Sequence, residues 1–512
     1  EGTKMLVRPL QRLSPAVLHQ SLHQHESVRS TTTRVPVLCS ESCLRGRLGR
    51  IGGRTLGRAS CSGIRRIAVA SFNRESAGMY TNLGDGAQAP LQGRKLWGSR
   101  ARINKLHDKL VELSQQEATS VPLAELYQLG LNSTESSRLQ NAQFLHGELA
   151  IRMSQRAVDL AKLPYGLSLK RSIERVSTWY AAAACDILEF PYPTTVEAEE
   201  GFTQLLEKLL HDHSIVVRSV AAGIYELKEE ISKENWEDIQ SSIDQMLTAF
   251  YTSRIGLRFL MEHHIKSRHR VPGYSGIISN VCKPHELAER AAAEAIELCR
   301  RHTGLAPRVN IINKTPGATF TYVPSHVQYM LAELLKNSVR AVSEVHGDED
   351  IGEASMPAVS VVVAKGDEDV TFRVSDEGGG IARSRLNTIF SFLCSTAGET
   401  YWDNRAGYGS GAPQSKQCRT MVQSSTPALA GWGVGLPLSR TYARYFGGEL
   451  ELMSMESYGT DVYLHLSALG DGCENLPAKV LASPASRASS AIPQAGTYDP
   501  IHRHDAYRRR DY

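Results

Sequence analysis

Three clusters of side chains in the second half of the chain have the types and the spacing to handle a nucleotide. The first is Glu333-Leu-Leu-Lys336-Asn337-Ser338-Val-Arg340. On a helix, Glu333 and Asn337 lie one turn apart and Arg340 a further turn on, so the three share a face. A carboxylate beside an amide oxygen suits ATP with magnesium, because Mg²⁺ takes hard oxygen ligands and keeps waters and phosphate oxygens for the rest. Asn337 is the candidate metal ligand. Glu333 is placed to accept or orient a hydroxyl proton near the transferred phosphate. Alone, the same pattern also describes a solvated charged helix face.

The second cluster is Asp376-Glu377-Gly378-Gly379-Gly380-Ile381, read as following a strand that ends at Val374. Glycines let backbone approach a ligand without a Cβ in the way, and Asp376 can accept a hydrogen bond from an adenine amino group. By itself it is equally a tight turn. The third is Gly431-Trp432-Gly433-Val434-Gly435-Leu436-Pro437, ahead of a helix at 438–446 that stops at Gly447-Gly448. Backbone N–H groups at a helix N-terminus, with its dipole, favour phosphate. Pro437 fits a first helical turn and Gly447 a helix stop. No Gly-Lys-Ser/Thr follows, so this is not a Walker loop, and no Rossmann fingerprint is present.

Positioning these clusters requires strands and helices in alternation. Apolar alternation predicts strands near 308–312, 358–364, 369–374, 449–455 and 462–466, with a helix at 325–345. Together they predict an α/β sandwich over 305–470. Residues 99–300 read as helical. Phe202, Leu205, Leu206, Leu209 and Leu210 form one stripe, and Ile243, Met246, Leu247, Phe250 and Tyr251 another. Such stripes most simply build an antiparallel helix bundle. Residues 75–98 read as a linker, and 475–512 as a mostly unstructured tail, Ala/Ser/Pro-rich and then basic and aromatic.

The net charge of +4 over 512 residues gives no argument for a nucleic-acid partner. No run of eighteen apolar residues predicts a membrane span. The nine cysteines contain no C-x-x-C pair, which argues against a disulfide framework or zinc site and fits a reducing compartment. Residues 1–74 carry twelve arginines against three glutamates, the composition of a mitochondrial transit peptide.

The order of the clusters, E-x-x-K-N, then D-x-G-G-G, then G-x-G-x-G before a helix, resembles the asparagine and glycine boxes of the superfamily holding gyrase, the large heat-shock chaperone, histidine kinases and MutL. Gly459-Thr460-Asp461 adds to this resemblance. Within that superfamily the chain resembles the mitochondrial kinases of pyruvate and branched-chain 2-oxo-acid dehydrogenases, over roughly Leu163 to Leu476. The stretches that carry it are Phe250 to Arg258, Tyr322 to His326, Glu333 to Ala341, Ser395 to Ala397 and Gly431 to Tyr445.

The resemblance implies an α+β fold: an N-terminal four-helix bundle followed by a Bergerat-type α/β sandwich that binds ATP. It implies ATP and Mg²⁺ as cofactors, held by Asn337, Arg340, Asp376, Gly378, Gly380, Ser395, Thr396, Gly431, Gly433, Val434, Gly435, Leu436 and Thr460, with Glu333 catalytic. It further implies a homodimer in the mitochondrial matrix that phosphorylates serines on the decarboxylase α subunit. Docking would be through a lipoyl domain of the acyltransferase core, and phosphorylation would switch the complex off.

Some residues depart from the pattern. Glu377 stands where the family usually has Arg, and Tyr329 where pyruvate-type members often have His; the Asp-Trp pair near their C-terminus is absent. Tyr322 to His326 and Phe390-Ser391-Phe392 look pyruvate-type, which puts that substrate slightly ahead. A sensor-type autokinase acting on His263 or His264 is a rival reading and needs an exposed histidine. An ATP-driven clamp would carry its ATP domain first, and a non-catalytic ATP-binding scaffold would not need Glu333.

Overall fold

Among the described residues, seven α-helices come first: α1 (Leu96–Ser114), α2 (Leu123–Leu131), α3 (Glu135–Ala161), α4 (Arg171–Glu189), α5 (Val196–Asp212), α6 (Val216–Lys228) and α7 (Lys233–Lys266). Their starts are written in the sequence. Thr134 caps α3 by accepting the Ser137 N–H, and the Ser137 hydroxyl reciprocates toward the Thr134 N–H. Thr195 and Ser232 cap α5 and α7 by accepting the Ala198 and Asn235 N–H groups. The structure is a computed structural model that describes residues 96–131, 134–347, 352–394, 433–468 and 470–477. The expected transit peptide, nearly all of the linker and the tail beyond 477 lie outside the described residues, as do Ser395, Thr396 and Gly431.

The expected stripes face inward. Phe202, Leu206 and Leu209 are buried on α5, and Ile243, Leu247, Phe250 and Tyr251 on α7. α3 packs against α1, α4, α5 and α7, and α4 against α6. Emptying one such site, as in Phe202→Ala, would cost about 3–5 kcal/mol from lost burial and the cavity left behind.

A short hairpin follows, β1 (Tyr274–Ser275) and β2 (Ile278–Cys282), then α8 (Pro284–Thr303), β3 (Val309–Asn313), β4 (Phe320–Tyr322) and α9 (Pro324–His346). Pro sits at the first position of both α8 and α9, where its missing N–H costs nothing. Then come β5 (Val359–Lys365), β6 (Asp369–Asp376), the short α10 (Arg383–Leu386), α11 (Gly435–Tyr445), β7 (Glu449–Met455) and β8 (Gly459–Ser467). β4 joins β2 to make a small three-stranded sheet that the sequence did not announce.

The main sheet runs in the order β3-β5-β6-β8-β7, with β3 and β5 parallel and the other pairs antiparallel. Alternation puts Val359, Val361, Val363, Val370, Phe372, Val374, Val462, Leu464 and Leu466 on one buried face. α8, α9 and α11 cover that face, and α11 packs in turn against α7 of the helical layer. Two expectations need correction. α8 falls inside the span 99–300 expected to form the bundle, yet it packs on α9, β3 and β5. Its Ala-rich stripe predicts burial but not the neighbour. β6 also runs two residues past Val374, because Ser375 and Asp376 pair with Asp461 and Thr460 of β8.

Candidate nucleotide site

α9 is the spine of the site. Its Glu333, Asn337 and Arg340 share the expected face, all half-buried. The Glu333 carboxylate accepts the Lys336 ammonium at 2.5 Å through one oxygen. Its other oxygen points at the N-terminus of α11, so close to Gly435 that a Cβ there would lie 2.4 Å from it. Gly435 is therefore required by contact, its backbone sharing space with the carboxylate. The Asn337 amide makes no hydrogen bond among the described residues. Arg340 pairs along the helix with Glu344, at 3.1 Å.

Asp376 closes the far side. Its carboxylate accepts the Ser338 hydroxyl at 2.7 Å and the Gly378 N–H at 3.1 Å, and it is buried. Burial pushes its pKa upward, against the opposing pull of those hydrogen bonds. Ser338 was missed by the sequence reading. Its signal was there, a hydroxyl on the buried side of a helix next to Asn337, but its partner is 38 residues away.

The three glycines after Asp376 each answer a separate demand. Gly378 lies against α9, where a Cβ would meet Ala341 Cβ at 2.5 Å. Gly379 and Gly380 take positive φ of 77° and 66°. Gly379 also exchanges backbone hydrogen bonds with the β7–β8 turn, donating to Tyr458 and accepting from Ser457. Thr460 lies beside this turn, its hydroxyl 2.9 Å from that of Ser454, and Ser454 accepts the Ile381 N–H.

On the α11 side, Gly433 has φ 69° and its carbonyl accepts the Leu393 N–H at 2.8 Å. Val434 stands at the N-cap of α11 and its carbonyl accepts the Leu438 N–H. Leu436 packs against the core. Farther along α11, burial tends to raise the pKa of Glu449, but hydrogen bonds from Arg444 and Arg440 outweigh it and hold the carboxyl down at about 2. The structure thus brings Glu333, Asn337, Asp376, Gly378, Gly380, Gly433, Val434, Gly435, Leu436 and Thr460 around the middle of α9 and the N-terminal end of α11. The donor set is oxygens and backbone N–H groups. No group of three or more His, Cys, Asp or Glu suited to hold a metal occurs among the described residues. Such a set fits a magnesium ion that takes few protein ligands and is completed by phosphates and water.

The rival acceptor histidines are out of reach. His263 and His264 are buried within the helical layer, and His264 is held between Asn141 and Thr203. Arg254 and Arg258 make contacts within the helical layer. Arg254 donates to the His213 carbonyl, and Arg258 pairs with Glu262 at 2.6 Å.

Comparison with known proteins places each part of the chain. Residues 120–279 match the family described as mitochondrial branched-chain alpha-ketoacid dehydrogenase kinase. Residues 322–469 match the histidine kinase-, DNA gyrase B- and HSP90-like ATPase family. A mitochondrial [pyruvate dehydrogenase (acetyl-transferring)] kinase of Arabidopsis thaliana is 42% identical over 361 residues, covering 70% of this chain and 93% of that protein. Proteins of the same name from Schizosaccharomyces pombe and Drosophila melanogaster are 33% and 34% identical, over 72% and 65% of this chain and 98% and 78% of their own. The description of the helical match and the names of the relatives point to different dehydrogenases. The relatives carry more weight, because their similarity runs through both parts of the chain.

Proposed function

The chain belongs to the mitochondrial pyruvate dehydrogenase kinase family, within the HSP90-like ATPase superfamily, and from that premise we propose how its own residues carry out the reaction. It is an ATP-dependent protein kinase of mitochondria that phosphorylates pyruvate dehydrogenase. The fold is α+β with an ATPase-type sheet domain.

ATP lies against the middle of α9, with its adenine amino group donating to Asp376. The backbone of Gly378 and Gly380 borders the base, and Thr460 with the β7–β8 turn backs it. The phosphates face Gly433, Val434, Gly435 and Leu436, where the first turn of α11 offers unpaired N–H groups and its dipole. Ser395, Thr396 and Gly431 complete the nucleotide contacts. Arg340, one turn from Asn337, adds positive charge on the same face. The Asn337 oxygen holds magnesium, which supplies charge neutralisation across the phosphates when bound.

Glu333 orients the incoming serine hydroxyl and takes its proton as the serine oxygen bonds to the γ-phosphorus, while the bond from that phosphorus to the β–γ bridging oxygen breaks and ADP leaves. The observation that carries this assignment is the carboxylate of Glu333 lying against Gly435, at the helix end where the phosphates belong. Lys336 holds one oxygen of that carboxylate and leaves the other facing the site.

The target is a serine on the decarboxylase α subunit, and its phosphorylation switches the complex off in the matrix. The helical layer, read as a four-helix bundle of α3, α4, α5–α6 and α7, carries the docking face for a lipoyl domain. Exposed Leu129 and Leu131 at the end of α2 supply apolar surface for it. A homodimer is supported by the edge strand β7, where Met453 and Met455 are exposed.

The test is transfer of label from ATP and Mg²⁺ to purified pyruvate and branched-chain dehydrogenase complexes side by side. Acid-stable label on the pyruvate dehydrogenase α subunit, with loss of its activity, is the expected result. Glu333→Gln should bind ATP yet lose about 10²–10⁴ in transfer rate, the scale of a removed general base. Full activity in that variant would refute the role given to Glu333.

A further inference from the structure

We infer that Asp244, midway along α7 in the helical layer, is a positioning residue for the phosphate-facing backbone at Gly433–Gly435. The inference rests on the nucleotide reading above and adds to it a residue from the other layer.

The Asp244 carboxylate accepts the Phe392 N–H at 2.8 Å; burial pushes its pKa up, and the Ser391 side chain beside it draws it down. The buried Phe392 ring stacks on Tyr251 of the same helix, with centroids 5.1 Å apart and planes at 30°. Two contacts from α7, one polar and one aromatic, therefore fix the backbone and the ring of a single residue.

The next residue passes that constraint on. Leu393 has φ 62°, a left-handed conformation that L side chains rarely adopt unless their surroundings impose it. Its N–H donates to the Gly433 carbonyl at 2.8 Å. The two backbones are so close that a Cβ on Gly433 would meet Leu393 Cα and Cys394 O at 2.9 Å. Gly433 is two residues from Gly435, the first residue of α11 and the one that abuts Glu333. Phe390 adds a second tie, with the Arg440 guanidinium of α11 4.3 Å above its ring. Asp244 thus reaches the site through Phe392, Leu393 and Gly433, without touching nucleotide.

The measurement is calorimetric binding of ATP·Mg²⁺ to the full chain, with phosphate transfer at saturating ATP and melting of the nucleotide-free protein as companions. Asp244→Ala should bind about tenfold more weakly, the scale of one charge-assisted hydrogen bond, while transfer at saturation changes little. Asp244→Asn keeps an acceptor oxygen for the Phe392 N–H and should recover most of the affinity, with unchanged melting. Ser391→Ala removes the side chain that draws the same carboxylate's pKa down and should give a smaller loss, readable even if the alanine variant at 244 folds poorly.

Unchanged affinity in both Asp244→Ala and Ser391→Ala would overturn the inference, as would a loss confined to transfer at saturation. An asparagine variant as weak as the alanine one would overturn it too. A parent chain with no ATP affinity would refute the nucleotide reading itself. Normal parent affinity with indifferent variants refutes Asp244 alone.

Discussion

Replacing Arg152 by Met tests what joins the helical layer to the end of the sheet unit. Arg152 on α3 is 2% exposed and lies between two buried carboxylates, Glu148 at 4% and Glu474 at 3%. Its Nε donates to Glu148 at 2.7 Å, while Nη1 and Nη2 donate to the two oxygens of Glu474 at 3.0 and 2.8 Å. Nη2 also reaches the Thr119 carbonyl. Glu474 in turn accepts the Val121 N–H at 3.0 Å and the Tyr445 hydroxyl at the end of α11. Burial alone would lower the pKa of Arg152, but the Glu474 hydrogen bonds and charge outweigh it and hold the guanidinium ionised. Methionine fills much of the arginine stem but leaves two carboxylates in the interior without a cation. Removing one partner of a buried pair costs about 3–5 kcal/mol, and that is the loss expected here. Glu474→Gln keeps the shape and an acceptor and should lose about 1.5–3 kcal/mol, the scale of a hydrogen bond to a charged group. The assay is urea unfolding of both variants and the double variant, followed by circular dichroism, so that the coupling is isolated from the single effects. A Met variant within about 1 kcal/mol of the parent would refute the assignment of a dry, mutually dependent network.

Gly435→Ala would drive a methyl into the Glu333 carboxylate; phosphate transfer should fall by about tenfold or more, on the scale of a displaced catalytic group, with melting little changed. Equal activity would mean that the carboxylate has room to turn. Gly256→Ala would meet Tyr445 Oη at 2.6 Å and Arg152 Nη1 at 2.8 Å, and thermal melting should register a loss of about 1–3 kcal/mol. Burial holds His213 and His263 down at about 4 and His326 at about 3, so each is neutral in the fold yet protonates near 6.5 when unfolded. Their contribution is present above pH 6.5 and drains as pH falls toward 4, by up to about 1.4 kcal/mol per pH unit for each. Denaturant midpoints at pH 7.5 and about 5.5 should show this decline, and a flat profile would contradict the burial. Ser338→Ala leaves Asp376 short of one hydrogen bond and should weaken ATP binding by several-fold, on the scale of about 1 kcal/mol, in a calorimetric titration.

Local chemistry was legible wherever a pattern was long enough to be periodic. β7 occupies 449–455 as its alternation predicts, and α9 departs from the expected 325–345 by one residue at each end. Each candidate cluster announced itself through its spacing in the sequence. What the sequence left open was pairing at a distance. The helical pattern of α8 announces a buried face without saying that the face meets a sheet. Ser338 is unremarkable until Asp376 arrives on a strand end, and Asp244 looks like any polar residue on a long amphipathic helix. His263 and His264 look like possible acceptors until the surrounding helices enclose them. In each case the deciding fact was which two surfaces the tertiary fold presses together, and no local signal encodes that.

The tie between Arg152 and Glu474 spans 322 residues, with Ser120, Val121, Pro122 and Leu123 meeting the residues around Cys473 beside it. At translation speeds of about 5–20 residues per second, roughly 15–60 s separate the synthesis of Arg152 from that of Glu474. Throughout that interval the helical segment exists with a positive charge matched only by Glu148 and an open seam around residues 119–123. A nascent or partly delivered chain therefore cannot close its own helical layer, however well its helices form. Its completion waits on residues 470–475, so loss of that stretch would be felt first in the seam at residues 119–123.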